Sequence, residues 1–249
     1  MRRYPSPYVS SFSFGPGPVS TALKALIGAN VILFLATTFV PSLTPRLGLV
    51  PVAVIRELFV WQLVTYMFVH GGIFHIAFNM LALWMFGAEL ERTWGTRYFL
   101  KFYFVSGVGA AALTVVFSLL PFGFAQQVHY SIVIGASGAI YALLLAYALY
   151  YPDRPIYMYF VFPIPAKIFV MIIGAIELLS SISGVQGGVA NATHLGGLVI
   201  GYLYLKGARL HPLSELKYRY LKWKINRVRK KFDVYSGGRG ANDWDRRVH

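Results

Sequence analysis

Six apolar runs, at about residues 21–40, 70–88, 98–120, 137–151, 164–183 and 190–206, constrain this chain more than any other feature. A helix needs roughly 17–25 residues to cross the ~30 Å hydrocarbon core of a bilayer. Five of the runs meet that requirement, and the fourth is short. Composition agrees: 57% of the 249 residues are hydrophobic, 13% are charged and the mean hydropathy is +0.57. Ordinary globular domains carry about 45–50% apolar and about 25% charged residues. Disorder and a soluble single-core domain are therefore excluded. The expected fold class is all-α, a polytopic membrane helix bundle with six transmembrane helices. The absence of Cys excludes disulfides, thiolate catalysis, iron–sulfur clusters and Cys-bound zinc. No signal-peptide cleavage pattern precedes the first run, which is long enough to span.

The formal net charge of +14 is unevenly placed. Thirteen of the 23 Lys and Arg residues lie from Lys206 onward. If the N-terminus is inside, Arg2, Arg3, Lys24, Arg92, Arg97, Lys101, Arg154, Lys167 and the whole tail fall inside. Only Arg46 and Arg56 lie outside, and the outer loops 121–134 and 184–193 hold no Lys or Arg. This asymmetry predicts both termini on the cytoplasmic side. The chain then divides into an N-terminal segment (1–19), a membrane domain (20–206), a basic amphipathic tail (207–235) and a flexible end (236–249). Lys217–Lys231 is rich in Lys and Arg, with Leu221, Ile225, Val228 and Phe232 at helical spacing and Trp223 nearby. Directly after a span, such a segment is expected on the anionic inner leaflet rather than on nucleic acid.

With the sides assigned, the depth of each polar residue follows from the rise of a helix. Counted from the inner surface, His75 lies at ~21 Å, Asn79 at ~15 Å, Ser137 at ~24 Å and His194 at ~18 Å. A Ser, two His and an Asn from three helices therefore share one layer in the outer half of the membrane. Ionisable residues at such depth are functional candidates by default. His75 and Asn79 are i, i+4 neighbours on one helix face. Ser137 opens the short fourth helix, whose free N–H groups and positive dipole end suit an oxyanion. An extended loop 121–134 is expected to dip inward ahead of it. Gly197 and Gly201 form a GxxxG motif, which with Gly138 and Ala142 brings His194 toward Ser137.

Other readings of these residues compete. Gly135-Ala136-Ser137-Gly138 by itself is an ordinary helix contact, and His70 an interfacial cap. His75 and His194 are possible metal or haem ligands, but the HExxH of intramembrane metalloproteases is absent. No cofactor and no metal are expected. Glu177, at ~15 Å on the fifth helix, reads as a structural carboxyl rather than a transporter's proton relay. A non-catalytic polytopic protein, either a transporter or an adaptor holding client helices, is the rival to an enzyme.

The motifs together resemble those of the rhomboid intramembrane serine proteases. His70-x4-His75-x3-Asn79 is similar to that family's second-helix motif. Gly135-Ala136-Ser137-Gly138 followed by Tyr141 is similar to its nucleophile motif. Thr193-His194-Leu195-Gly196-Gly197-x3-Gly201 is similar to its catalytic-His helix, and Glu91-x3-Gly95 to its inner turn. The resemblance implies a serine endopeptidase that cuts transmembrane substrates near the outer face. It implies a Ser137–His194 dyad without a third acid, and an oxyanion site of His75, Asn79 and the Ser137 N–H. It further implies Tyr141 stacked on His194 and His70 in a supporting, hydrogen-bonding part. Where bacterial relatives carry a Trp-Arg pair in the first outer loop, this chain reads Trp61-Gln62. Thr193 stands where Ala is usual. Helix 5 with Phe169 is a candidate gate, and the short N-terminus without a transit-peptide pattern favours a bacterial inner membrane.

Overall fold

The computed structural model describes residues 17–158, 161–183, 188–209, 220–225 and 227. Helices dominate the described residues. Three of them, Thr21–Phe39, Ile73–Trp94 and Thr96–Phe117, are long and apolar enough to cross a membrane by length and composition. They are α1, α5 and α6 in chain order. Between α1 and α5 the chain forms three short helices, Leu43–Leu47 (α2), Pro51–Arg56 (α3) and Gln62–Thr65 (α4), followed by a 3-10 turn at Tyr66–Phe68. After α6 come Gly123–Tyr130 (α7) and the 14-residue apolar Ser137–Tyr150 (α8). Ala166–Ser183 (α9) and Gly188–Arg209 (α10) complete the order.

Two departures from the expected fold have local causes. The segment 121–134 is not extended throughout. Residues 123–130 are helical, and His129 Nδ1 lies 3.1 Å from the Ser118 hydroxyl at the end of α6. Only the stretch after Tyr130 is extended. The second difference is a β-hairpin, in which Pro155–Met158 (β1) pairs antiparallel with Phe162–Pro165 (β2), Ile156 opposite Ile164. Aromatic and β-branched residues favour strands, and Pro155, Pro163 and Pro165 forbid helix continuation while tolerating an edge strand. The segment between α1 and α5 is likewise folded rather than open.

The helix ends are capped and tied together. Ser20 Oγ accepts the Leu23 N–H at 3.1 Å, and its hydroxyl donates to Glu91 Oε2 at 2.5 Å. Glu91 Oε1 also accepts the Thr96 hydroxyl at 2.7 Å, so one buried carboxyl joins the starts of α1 and α6 to the end of α5. Gly95, at φ +78°, makes the turn between α5 and α6. Nearby, Glu89 pairs with Arg92 at 2.6 Å and Arg154 at 2.9 Å, linking α5 to the loop after α8. The core beneath is built on α5, α6 and α8, with Leu83, Phe99, Phe102, Tyr103 and Leu143 fully buried.

The polypeptide separates into two compact units, Met1–Lys206 and Gly207–His249. In the second, residues 220–225 are helical, and the Arg227 guanidinium lies 4.7 Å from the centre of the Trp223 ring. Of the expected basic tail, residues 207–209 end α10; apart from these and residues 220–225 and 227, the tail and the end 236–249 lie outside the described residues, as do Arg2 and Arg3.

Candidate functional site

Ser137 is the first residue of α8, directly after Ala136 as its N-cap. Its approach is set by two anchors. The extended stretch before it bridges to the segment between α1 and α5, where Leu49 and Val133 exchange backbone hydrogen bonds of 2.8 Å each. One step later the Gly135 N–H donates to the Tyr66 carbonyl at 2.9 Å. Tyr66 is itself fully buried, its hydroxyl donating to the Gly107 carbonyl at 2.8 Å. Gly135 has φ +115°, a region open to glycine and strained for other residues. A Cβ there would stand 2.7 Å from His75 Nε2 and 3.7 Å from Ser137 Oγ. The bare backbone is thus what allows His75 to come up beside the serine.

His194 reaches the same point from α10, because that helix packs almost backbone to backbone on α8. A Cβ on Gly197 would lie 2.0 Å from the Gly138 carbonyl oxygen, and one on Gly201 2.8 Å from Ala142 Cβ. Small residues at these positions let the axes approach and bring the preceding turn of α10 over Ser137. His194 Nε2 and Ser137 Oγ are 2.7 Å apart. The Tyr141 ring, one turn into α8, stacks on the imidazole with centroids 4.3 Å apart and planes 8° off parallel. Thr193 turns the other way and shares a 2.8 Å hydrogen bond with Thr114 of α6, inside the bundle.

The other ring face of the site belongs to α5. His75 Nδ1 accepts the Gly71 N–H at 3.3 Å, which leaves Nε2 as the protonated, donating nitrogen. Asn79 Nδ2 donates to the His75 carbonyl at 2.8 Å, and the amide's second proton remains to be given. His70 is buried and meets His75 edge to face, ring centroids 5.0 Å apart. Among the described residues, no group of three or more His, Asp or Glu side chains is arranged to hold a metal ion.

Glu177 lies in this site, although it reads from the sequence as a structural carboxyl. Only 9% exposed on α9, it places Oε1 3.0 Å from His194 Nδ1. The approach is too oblique to count as a straight hydrogen bond. The same oxygen accepts the Tyr141 hydroxyl in a short bond. Its signal in the sequence was depth alone: it is an acidic residue well inside a predicted span, within a few Å of the level counted for His194.

Gln62 answers the question raised by the missing Arg of the outer loop. It is fully buried. Its Oε1 accepts the Val50 N–H at 2.9 Å, and its Nε2 donates to the carbonyls of Pro45 at 3.0 Å and Arg46 at 3.4 Å. Trp61 Nε1 adds a 3.0 Å bond to the Arg46 carbonyl. An uncharged amide therefore stitches the loop from within.

A family comparison bears on what such a site is. The Rhomboid domain model matches residues 57–209, more than half of the chain, and takes in His70, His75, Asn79, Ser137, Tyr141, Glu177 and His194. The chain belongs to the rhomboid family. Rhomboid protease GluP of Bacillus subtilis (strain 168) is 34% identical over 142 residues, covering 57% of this chain and 25% of that protein. Rhomboid protease AarA of Providencia stuartii is 31% identical over 183 residues, 70% of this chain and 60% of that protein. Rhomboid protease GlpG of Haemophilus influenzae is 32% identical over 148 residues, 58% of this chain and 68% of that protein. The chain thus matches from a quarter to three-fifths of the length of the first two relatives. Family and apolar helices together make this rhomboid an integral membrane protein.

Proposed function

We propose that this rhomboid is an intramembrane serine endopeptidase, with residues 20–206 as its protease domain and transmembrane proteins as its substrates. The observation that carries the reading is the 2.7 Å contact between Ser137 Oγ and His194 Nε2 at the first turn of α8. A hydroxyl is a weak nucleophile until a base takes its proton, and a neutral imidazole at this distance is such a base. As Ser137 Oγ bonds to the substrate carbonyl carbon, its proton passes to His194 Nε2. The carbonyl π electrons move to oxygen. That oxyanion is received by the Ser137 N–H, which the helix leaves without an internal partner, by His75 Nε2–H and by the free proton of the Asn79 amide. Collapse of the intermediate breaks the C–N bond, and His194 returns the proton to the leaving amine. Water then repeats the sequence on the acyl-enzyme.

The remaining roles follow the same reading. Tyr141 holds the imidazole plane, and His70 packs behind His75. Gly135, Gly138, Gly197 and Gly201 allow the close approaches. Cleavage occurs near the outer face of a bacterial inner membrane, with both termini cytoplasmic and the basic tail on the anionic leaflet. A substrate helix must first unwind locally, since a carbonyl already bonded within a helix is shielded from attack.

The test is cleavage of a reporter transmembrane substrate in liposomes. Wild type is expected to cleave, and Ser137→Ala and His194→Ala to lose activity by a factor of about 10⁴ or more. A fluorophosphonate is expected to label Ser137 in wild type and not in His194→Ala. Cleavage that survives Ser137→Ala would return the chain to the class of non-catalytic transporters or adaptors.

A further inference from the structure

Burying a carboxyl in the membrane half of a helix bundle is costly, and such groups persist where they are paired or used. Glu177 is paired twice through one oxygen. Oε1 accepts the Tyr141 hydroxyl and lies 3.0 Å from His194 Nδ1. That oxygen accepts the Tyr141 O–H, and when the carboxyl is ionised it sets a negative charge beside the imidazole. The opposite ring nitrogen, Nε2, is 2.7 Å from Ser137 Oγ. Ser137, His194 and Glu177 therefore stand in sequence around one imidazole, contributed by α8, α10 and α9.

We propose that Glu177 is a positioning residue that extends the Ser137–His194 pair into a three-member arrangement; this rests on the hydrolase reading above. The carboxylate keeps the Nδ1 proton in place, so that Nε2 is the unprotonated nitrogen facing Ser137. When Nε2 takes the Ser137 proton, the imidazole gains a positive charge beside the Glu177 negative charge. When Nε2 releases that proton to the leaving amine, both return to their starting states. Glu177 exchanges no proton and touches no substrate atom. Because its approach to Nδ1 is oblique, it acts more by charge than by a directed bond. Tyr141 supports it from both sides, with its ring flat on the imidazole and its hydroxyl on the carboxylate.

The groups that face His194 are few. They are Ser137 and Tyr141 from α8, Glu177 from α9 and, electrostatically, His75 from α5; Thr114 of α6 faces only the neighbouring Thr193. The experiment is steady-state cleavage of the reporter substrate by the full chain in liposomes, for wild type, Ser137→Ala, Glu177→Gln and Glu177→Asp, with thermal unfolding of each. Glu177→Gln is expected to lower kcat about 100-fold, within the ~10²–10⁴ range of a positioned acid–base group. KM should stay within twofold. Glu177→Asp restores the charge one methylene away and should recover part of kcat at unchanged KM.

Three results would overturn the role: wild-type kcat in Glu177→Gln, a loss carried by KM, or no recovery of kcat in Glu177→Asp. If Glu177→Gln does not fold, Glu177→Asp decides. A roughly tenfold loss in kcat at unchanged KM supports the role, and undiminished kcat overturns it. Cleavage by Ser137→Ala would instead sink the hydrolase reading itself. Abolition in Ser137→Ala with full activity in Glu177→Gln removes only the part assigned to Glu177.

Discussion

Gly135 is the residue at which backbone conformation and site chemistry are the same requirement. At φ +115°, an Ala side chain meets strain of about 1–3 kcal/mol before any contact is counted. Its Cβ also falls 2.7 Å from His75 Nε2, the nitrogen proposed to donate to the oxyanion. Displacing one oxyanion donor costs about 10²–10³ in kcat. Gly135→Ala is therefore expected to reduce cleavage by at least that factor while the protein still folds, as checked by cleavage rate beside thermal unfolding. Near-normal cleavage would mean that His75 takes no part in the reaction. The glycine is visible in the sequence as part of a motif. Its positive φ and the imidazole above it are not, because both depend on where Tyr66 and α5 come to rest.

Among the elements, the segment between α1 and α5 carries the least expected structure. It reads as an outer loop with an interrupted motif, and it folds as three short helices around Gln62. The amide satisfies one N–H and two carbonyls in the interior of that segment. Truncation leaves these groups buried and unpaired, at about 1–3 kcal/mol. Gln62→Ala should therefore lower the unfolding temperature by several degrees, at roughly 2–4 °C per kcal/mol for a chain of this size. Trp61→Phe should lower it less, since Trp61 is 46% exposed and contributes one bond. Equal melting of Gln62→Ala and wild type would show that the loop is held without the Gln62 amide. The helices α1, α5 and α6 were legible because apolar length alone identifies them. The hairpin β1–β2 and helix α7 were not, since a run of eight residues or fewer gives no length signal and its fate depends on neighbours.

For the whole molecule, the distribution of Lys and Arg predicts a fixed orientation. The absence of Cys makes this directly measurable, because each introduced thiol is unique. Gln127 on α7 and Asp153 after α8 are both exposed positions on opposite sides of the predicted arrangement. Gln127→Cys should react with a membrane-impermeant maleimide added outside intact cells, and Asp153→Cys only after the membrane is opened. The reverse pattern would overturn the orientation and, with it, cleavage at the outer face.

Membrane residence, the order of the apolar runs and the shared depth of Ser137, His75, Asn79 and His194 were all contained in the sequence. Each depends on a one-dimensional quantity: hydropathy summed along the chain, or rise per residue. Depth even placed Glu177 near the site. What depth cannot supply is the rotation of each helix about its own axis, which decides whether residues at one level face each other. That was decided by packing. Gly197 on Gly138 and Gly201 on Ala142 turn α10 so that His194 meets Ser137, and the fit of α9 beside them brings Glu177 to the far side of the same imidazole.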